Sequence, residues 1–150
     1  MAQAARHDAW QNGENYNRYM GRWSRLVAAQ FLPWLDQRKG LDWLEAGCGT
    51  GALTEAILAQ TDPKSVLAID ASAGFVDQAR SAVPSDRVEF RVGDAMALDL
   101  PPASRDVVVS GLVLNFLPDR GKALAGMAAV ARPGGTAGYY VWDYPNAGVG

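Results

Sequence analysis

Apolar and polar positions change period repeatedly along this chain. Leu41–Ala46 (LDWLEA), Ser65–Asp70 (SVLAID) and Asp106–Ser110 (DVVVS) are short runs with little polar interior, while Val88–Val92 (VEFRV) alternates with period two. Runs of that length, rich in Val, Ile and Leu and bounded by Gly or Asp, read as strands. Thr136–Tyr144 (TAGYYVWDY) reads as a fifth. Between them lie stretches of helical length: Ala52–Gln60, Ser72–Ala82 with Ser72 as its cap, and Asp119–Ala131, which stops at Arg132-Pro133-Gly134-Gly135. Ser24 can cap an earlier helix carrying Leu26, Val27, Phe31 and Leu35, with Pro33 expected to kink or restart it. Residues 1–23 have no clean period, yet Tyr16, Tyr19, Met20 and Trp23 make them too apolar for a free tail. Strands apolar on both faces, alternating with helices, predict an α/β fold with a doubly wound, mostly parallel sheet. The expected organisation is an N-terminal lid or cap over 1–23 and one core over 24–150.

Composition works mainly by exclusion. The 150 residues are 49% hydrophobic and 20% charged, which suits one globular domain and argues against disorder. Fourteen basic against sixteen acidic side chains give a net charge of -2, so nothing draws the whole molecule to nucleic acid or an anionic membrane. One cysteine excludes an intrachain disulfide framework, and one histidine, His7, argues against a metal centre. His7 lies in the terminal segment and reads as a surface residue. No apolar h-region opens the chain and no run approaches the ~20 residues of a membrane span, so a cytoplasmic location is expected.

The distribution of glycines is more informative. Gly47, Gly49 and Gly51, in Glu45-Ala46-Gly47-Cys48-Gly49-Thr50-Gly51, join the first strand to the helix after it. Glycines there allow a tight turn and close approach of a ligand to the main chain. A plain turn would need only one. Two cofactor patterns fit. Gly47, Gly49 and Ala52 satisfy the dinucleotide pattern G-x-G-x-x-G/A, with Asp70 about 20 positions on, which leaves a nicotinamide-dependent dehydrogenase open. The competing pattern is G-x-G-x-G preceded by an acid. Asp70, ending an apolar strand beside the loop, can accept hydrogen bonds from both hydroxyls of a ribose. Cys48 reads as a small filler, because no activating base or positive field accompanies it.

Five segments in order carry a resemblance: LDWLEAGCGTG, SVLAIDAS, VEFRVGDAMAL, DVVVSGLVLNFLPD and ARPGGTAGYY. Over about residues 16–150 the chain resembles the class I S-adenosylmethionine (SAM) methyltransferases. Tyr16–Arg25 (YNRYMGRWSR) and LVLNFLPD are similar to the small-molecule enzymes of the ubiquinone/menaquinone-biosynthesis-like group. The resemblance implies a Rossmann-like core, SAM as cofactor, and in-line methyl transfer to a small organic acceptor. It also implies a cofactor-binding set. Glu45 would orient the loop near the methionine amino group, and Gly47, Cys48, Gly49 and Gly51 would form the loop itself. Asp70, followed by Ala71, would hold the ribose. Asp94 would take the adenine amino proton, with the Ala95 amide facing the ring and Ala95, Met96 and Leu98 forming an apolar wall. Ser110, Gly111 and Leu112 would let the methionine part approach, and Tyr19 or Arg22 would reach its carboxylate. Asn115, Phe116, Asp143 and Tyr144 are candidates for the acceptor pocket.

No catalytic side chain is assigned, because transfer from a sulfonium needs alignment first and a base only for a protonated acceptor. Ser110-Gly111-Leu112-Val113 stands where base N-methylating enzymes often carry [DN]-P-P-[YF], and the cysteines of RNA cytosine-C5 enzymes are absent. A nucleic-acid substrate is therefore not expected. The family's sheet usually has seven strands, and this sequence stops just after the fifth. The expectation is a truncated domain, with an exposed fifth-strand edge through which two copies could pair as a homodimer. A non-catalytic SAM-binding or interaction module is the alternative function.

Overall fold

The computed structural model describes residues 22–111, 114 and 117–141. Helix α1 covers residues 22–35. It is followed by β1 (Asp42–Ala46), α2 (Ala52–Thr61), β2 (Ser65–Asp70), α3 (Ala73–Ala82), β3 (Val88–Val92), β4 (Arg105–Gly111), α4 (Arg120–Val130) and β5 (Ala131–Tyr140). The strands form one sheet in the order β3-β2-β1-β4-β5, with every neighbouring pair parallel. The chain builds outward from β1 in one direction and then returns to its other side with β4. That reversal opens a crevice beyond the carboxyl ends of β1 and β4, where open α/β sheets bind ligands. The α/β, Rossmann-like expectation and its five strands hold.

Both faces of the sheet are covered, which is why its strands are apolar throughout. On one face Trp43, Val66, Val107 and Val109 pack under Ala28, Phe31 and Leu32 of α1 and Leu53 and Ile57 of α2. Ala68 and Phe90 continue that face under Val76 and Ala79 of α3. On the other face Leu44, Leu67, Ile69 and Val108 meet Met127 and Val130 of α4. Burying a side chain of the size of Ile57 or Met127 contributes about 1.5–3 kcal/mol, and these layers fix where the loops emerge. Helix α1 lies close on β5. A Cβ at Gly138 would stand 2.8 Å from Leu35 Cδ1 and 3.4 Å from Phe31 Cζ.

Three local expectations change. Helix α1 is already under way at Arg22, so Ser24 lies inside it, and it runs on through Pro33. Its inward stripe is Ala28, Phe31, Leu32 and Leu35, while Leu26 is 56% exposed. Helix α4 stops at Val130 and β5 starts at once, earlier than Thr136. Ala131 pairs with Arg105 but Thr136 pairs with Val107, so residues 132–135 bulge out of the ladder. Gly134 takes φ +79°, and a Cβ on Gly135 would sit 2.6 Å from the Asp106 carbonyl oxygen. Arg132 ties the bulge to the base of the sheet by a 2.8 Å ion pair with Asp106. Two helix caps match expectation: the Ser72 hydroxyl accepts from the Phe75 amide at 3.2 Å and Asp119 accepts from the Lys122 amide at 3.0 Å.

Candidate functional site

The loop after β1 owes its path to three glycines in the left-handed region: Gly47 (φ +80°), Gly49 (+54°) and Gly51 (+99°). Any other residue there would pay roughly 1–2 kcal/mol of backbone strain. The amides of Gly47 and Cys48 both donate to the Ile69 carbonyl, each at 2.8 Å, and the Gly51 amide donates to the Cys48 carbonyl at 3.0 Å. The turn is thereby tied to the end of β2. Gly51 also lets α3 come close, since a Cβ there would lie 2.9 Å from Val83 Cγ2. A Cβ on Gly49, by contrast, would meet nothing within 4 Å. That opening is the space a ligand needs to approach the main chain.

Asp70 closes the turn. Its Oδ2 accepts from the Gly49 amide and its Oδ1 from the Ser72 amide, both at 2.9 Å. The two bonds fix the carboxylate at the mouth of the crevice and use about half of its four lone-pair positions. The remaining half suits a vicinal diol. The same side chain therefore locks the glycine turn and offers itself to a ligand.

Glu45 is only 1% exposed and accepts a hydrogen bond from the Thr54 hydroxyl, in the first turn of α2. It thus does couple the strand end to the loop's helix. Burial pushes its pKa up to about 8; the Thr54 bond opposes that, and the Asp70 charge adds to it. At neutral pH the group is mostly protonated. Cys48 is buried beside it. Burial, then Glu45 and Asp70, push its thiol well above the ordinary range, so it is no nucleophile.

The other expected residues divide. Asp94 is exposed and accepts from the Met96 amide at 2.8 Å, while its carbonyl accepts from the Ala97 amide at 3.0 Å, forming a compact turn. The side chains of Ala95 and Leu98 point into the core against β1, β2 and α4, so the apolar wall expected of Ala95, Met96 and Leu98 is reduced to the half-buried Met96. Ser110 is fully buried, and its hydroxyl donates to the Ala46 carbonyl at 2.8 Å. It fastens β4 to β1 at the crevice. Ala71 is exposed next to Asp70, and Arg22 is exposed at the start of the described part of α1. Tyr19, Leu112, Asn115, Phe116, Asp143 and Tyr144, with His7, lie outside the described residues.

One residue of the crevice escaped sequence reasoning. Tyr140 is the register partner of Gly111, and a Cβ on Gly111 would fall 2.5 Å from the phenol oxygen. Only the pairing of β4 with β5 reveals this, and no local signal in the sequence encodes it. Among the described residues no group of His, Cys, Asp and Glu is arranged to hold a metal ion. No described helix is long and apolar enough to cross a membrane.

Comparison with known proteins agrees with this geometry. A methyltransferase-domain family matches residues 44–138. Malonyl-[acyl-carrier protein] O-methyltransferase of Yersinia pestis is 37% identical over 101 residues, covering 66% of this chain and 36% of that protein. Nocamycin O-methyltransferase of Saccharothrix syringae is 33% identical over 119 residues, covering 76% and 42%. Among solved structures, the complex of the Haloferax volcanii Trm112 methyltransferase activator with a methyltransferase superposes with a TM-score of 0.74 at 26% identity, covering 87% of this chain and 57% of that one. The chain spans well under half the length of those two curated relatives. With the glycine turn, the clamped acid of β2 and the strand order all in place, the chain belongs to the class I methyltransferases, whose cofactor is SAM.

Proposed function

We propose that this protein uses SAM to methylate an oxygen atom of a small organic acceptor. The observation that carries the reading is Asp70, held by the Gly49 and Ser72 amides at the head of an open glycine turn. The residues present fit SAM: a free half-carboxylate for the ribose, open space over Gly49, and a buried acid toward the amino-acid end. When bound, SAM supplies a methyl group already activated by its positive sulfur. Asp70 binds and orients the ribose. Glu45 holds the loop through Thr54 and lies beneath the end that would receive an ammonium group. The Ser110–Ala46 bond keeps the two strand ends at fixed separation, which favours alignment over chemistry. Asp94 at its turn is assigned to the adenine, with Met96 beside it.

Among the described residues, the electrostatics favour an acceptor that arrives ionised. Glu45 and Tyr140 keep their protons at neutral pH, and Asp70 is engaged by two amides. None of these is a base poised at the crevice. A carboxylate needs none. Two relatives whose names specify O-methylation, one of them acting on malonyl-[acyl-carrier protein], support the same choice of atom. Residues 1–23 as a lid, Asn115, Phe116, Asp143 and Tyr144 as the acceptor pocket, a cytoplasmic location and pairing of two copies along β5 belong to this proposal. So does the absence of nucleic-acid and membrane partners. The second reading is a SAM-binding module without turnover.

Release of S-adenosylhomocysteine, measured with a panel of small carboxylic acids, thioester-linked acids and phenols, tests the proposal. Turnover with a carboxylate-bearing acceptor is expected. Saturable SAM binding with no turnover on any acceptor would favour the module instead.

A further inference from the structure

Tyr140 ends β5 at the edge of the sheet that carries the crevice. Its ring stands edge-on to Phe31 of α1, with centroids 4.8 Å apart and planes at 62°. Its hydroxyl end also lies over Gly111, where a Cβ would be 2.5 Å from the phenol oxygen, 2.6 Å from Cζ and 3.2 Å from Cε1. Any side chain at position 111 would therefore expel it. The ring is held from two sides, by an aromatic partner and by a missing one, and reaches across the end of β4. There it comes near enough to Glu45, on β1, for that carboxyl to act on it electrostatically. Packing alone would be served equally well by phenylalanine. The hydroxyl is the unexplained part: no described side chain hydrogen-bonds to it. A half-buried hydroxyl without a partner among the described residues is costly unless a ligand, solvent or another part of the chain satisfies it.

We propose that Tyr140 is a cofactor-positioning residue whose hydroxyl donates a hydrogen bond to the amino-acid carboxylate of SAM, and that Gly111 is small so that the phenol can reach it. This rests on the reading of the crevice as a SAM site. The chemistry suits a zwitterion. Burial, and then Glu45, push the phenol above its ordinary range, so it stays protonated and can only donate to an anion. Glu45 lies on β1, beyond β4, where its carboxyl can accept a hydrogen bond from an ammonium. A donor and an acid set side by side discriminate the head of an amino acid from a plain nucleoside.

The test compares two ligands on the wild type and on Tyr140→Phe by titration calorimetry: SAM, and 5′-methylthioadenosine, which lacks the amino-acid head. A donor to a carboxylate is worth about tenfold in affinity. Tyr140→Phe is expected to weaken SAM about tenfold and to leave 5′-methylthioadenosine unchanged, with the same thermal midpoint as the wild type. Gly111→Ala should weaken SAM in the same selective way. Equal loss for both ligands, or no loss for SAM, overturns the assignment while the SAM reading stands. A wild type that binds neither ligand overturns the SAM reading itself.

Discussion

Replacing Glu45 with glutamine removes one titrating proton from beneath the crevice and keeps an acceptor for the Thr54 hydroxyl. The consequence is a change in how stability depends on pH. The ordinary pKa of the group is 4.5, and in the folded protein it is pushed up to about 8, chiefly by burial. Between those values the unfolded chain has lost the proton and the folded chain retains it. The contribution of Glu45 to stability is therefore complete below about pH 4.5, falls through the window, and is gone above about pH 8. The slope for one proton is about 1.4 kcal/mol per pH unit. Over the whole window this reaches roughly 4–5 kcal/mol, a large share of a small domain's stability. Urea unfolding followed by tryptophan fluorescence, at intervals from pH 5 to 8.5, measures it in both proteins. Other titrating groups are common to the two, so the difference profile isolates Glu45. The wild type should lose stability relative to Glu45→Gln steadily as pH rises. Parallel profiles would refute the claim that the folded protein keeps Glu45 protonated.

Two further outcomes follow from the same loop. Gly51→Ala places a Cβ 2.9 Å from Val83 Cγ2 at a backbone φ of +99°, and should cost about 1–3 kcal/mol, read as a lowered urea midpoint. Cys48 should resist iodoacetamide at pH 8 in the folded protein and react once unfolded, because its thiol is buried and held protonated; rapid labelling of the native state would contradict its role as a filler.

Much of this architecture could be read locally. SVLAID has to be a strand covered on both sides, because every interior position is apolar, and it pairs on both sides as β2. Ser72 announces a cap because its hydroxyl is the right length to reach the third amide after it. The three glycines mark their own turn, since the chain there runs through positive φ at each. What was not legible depended on neighbours distant in sequence. Leu26 is greasier than Ala28, yet Ala28 is the buried one, because close packing of α1 needs a small residue. Ala95 and Leu98 are apolar in either setting, and only the position of α4 turns them inward. The bulge before Thr136 and the meeting of Tyr140 with Gly111 come from the register of β4 against β5, which no single segment specifies.

The proposal that Asp70 and the glycine turn hold SAM is decided by calorimetric titration with SAM and with NAD. The wild type should bind SAM saturably and ignore NAD, and Asp70→Ala should bind SAM much more weakly, losing the ribose contact and the bonds to the Gly49 and Ser72 amides. NAD binding by the wild type, or SAM affinity indifferent to the loss of Asp70, would contradict the account.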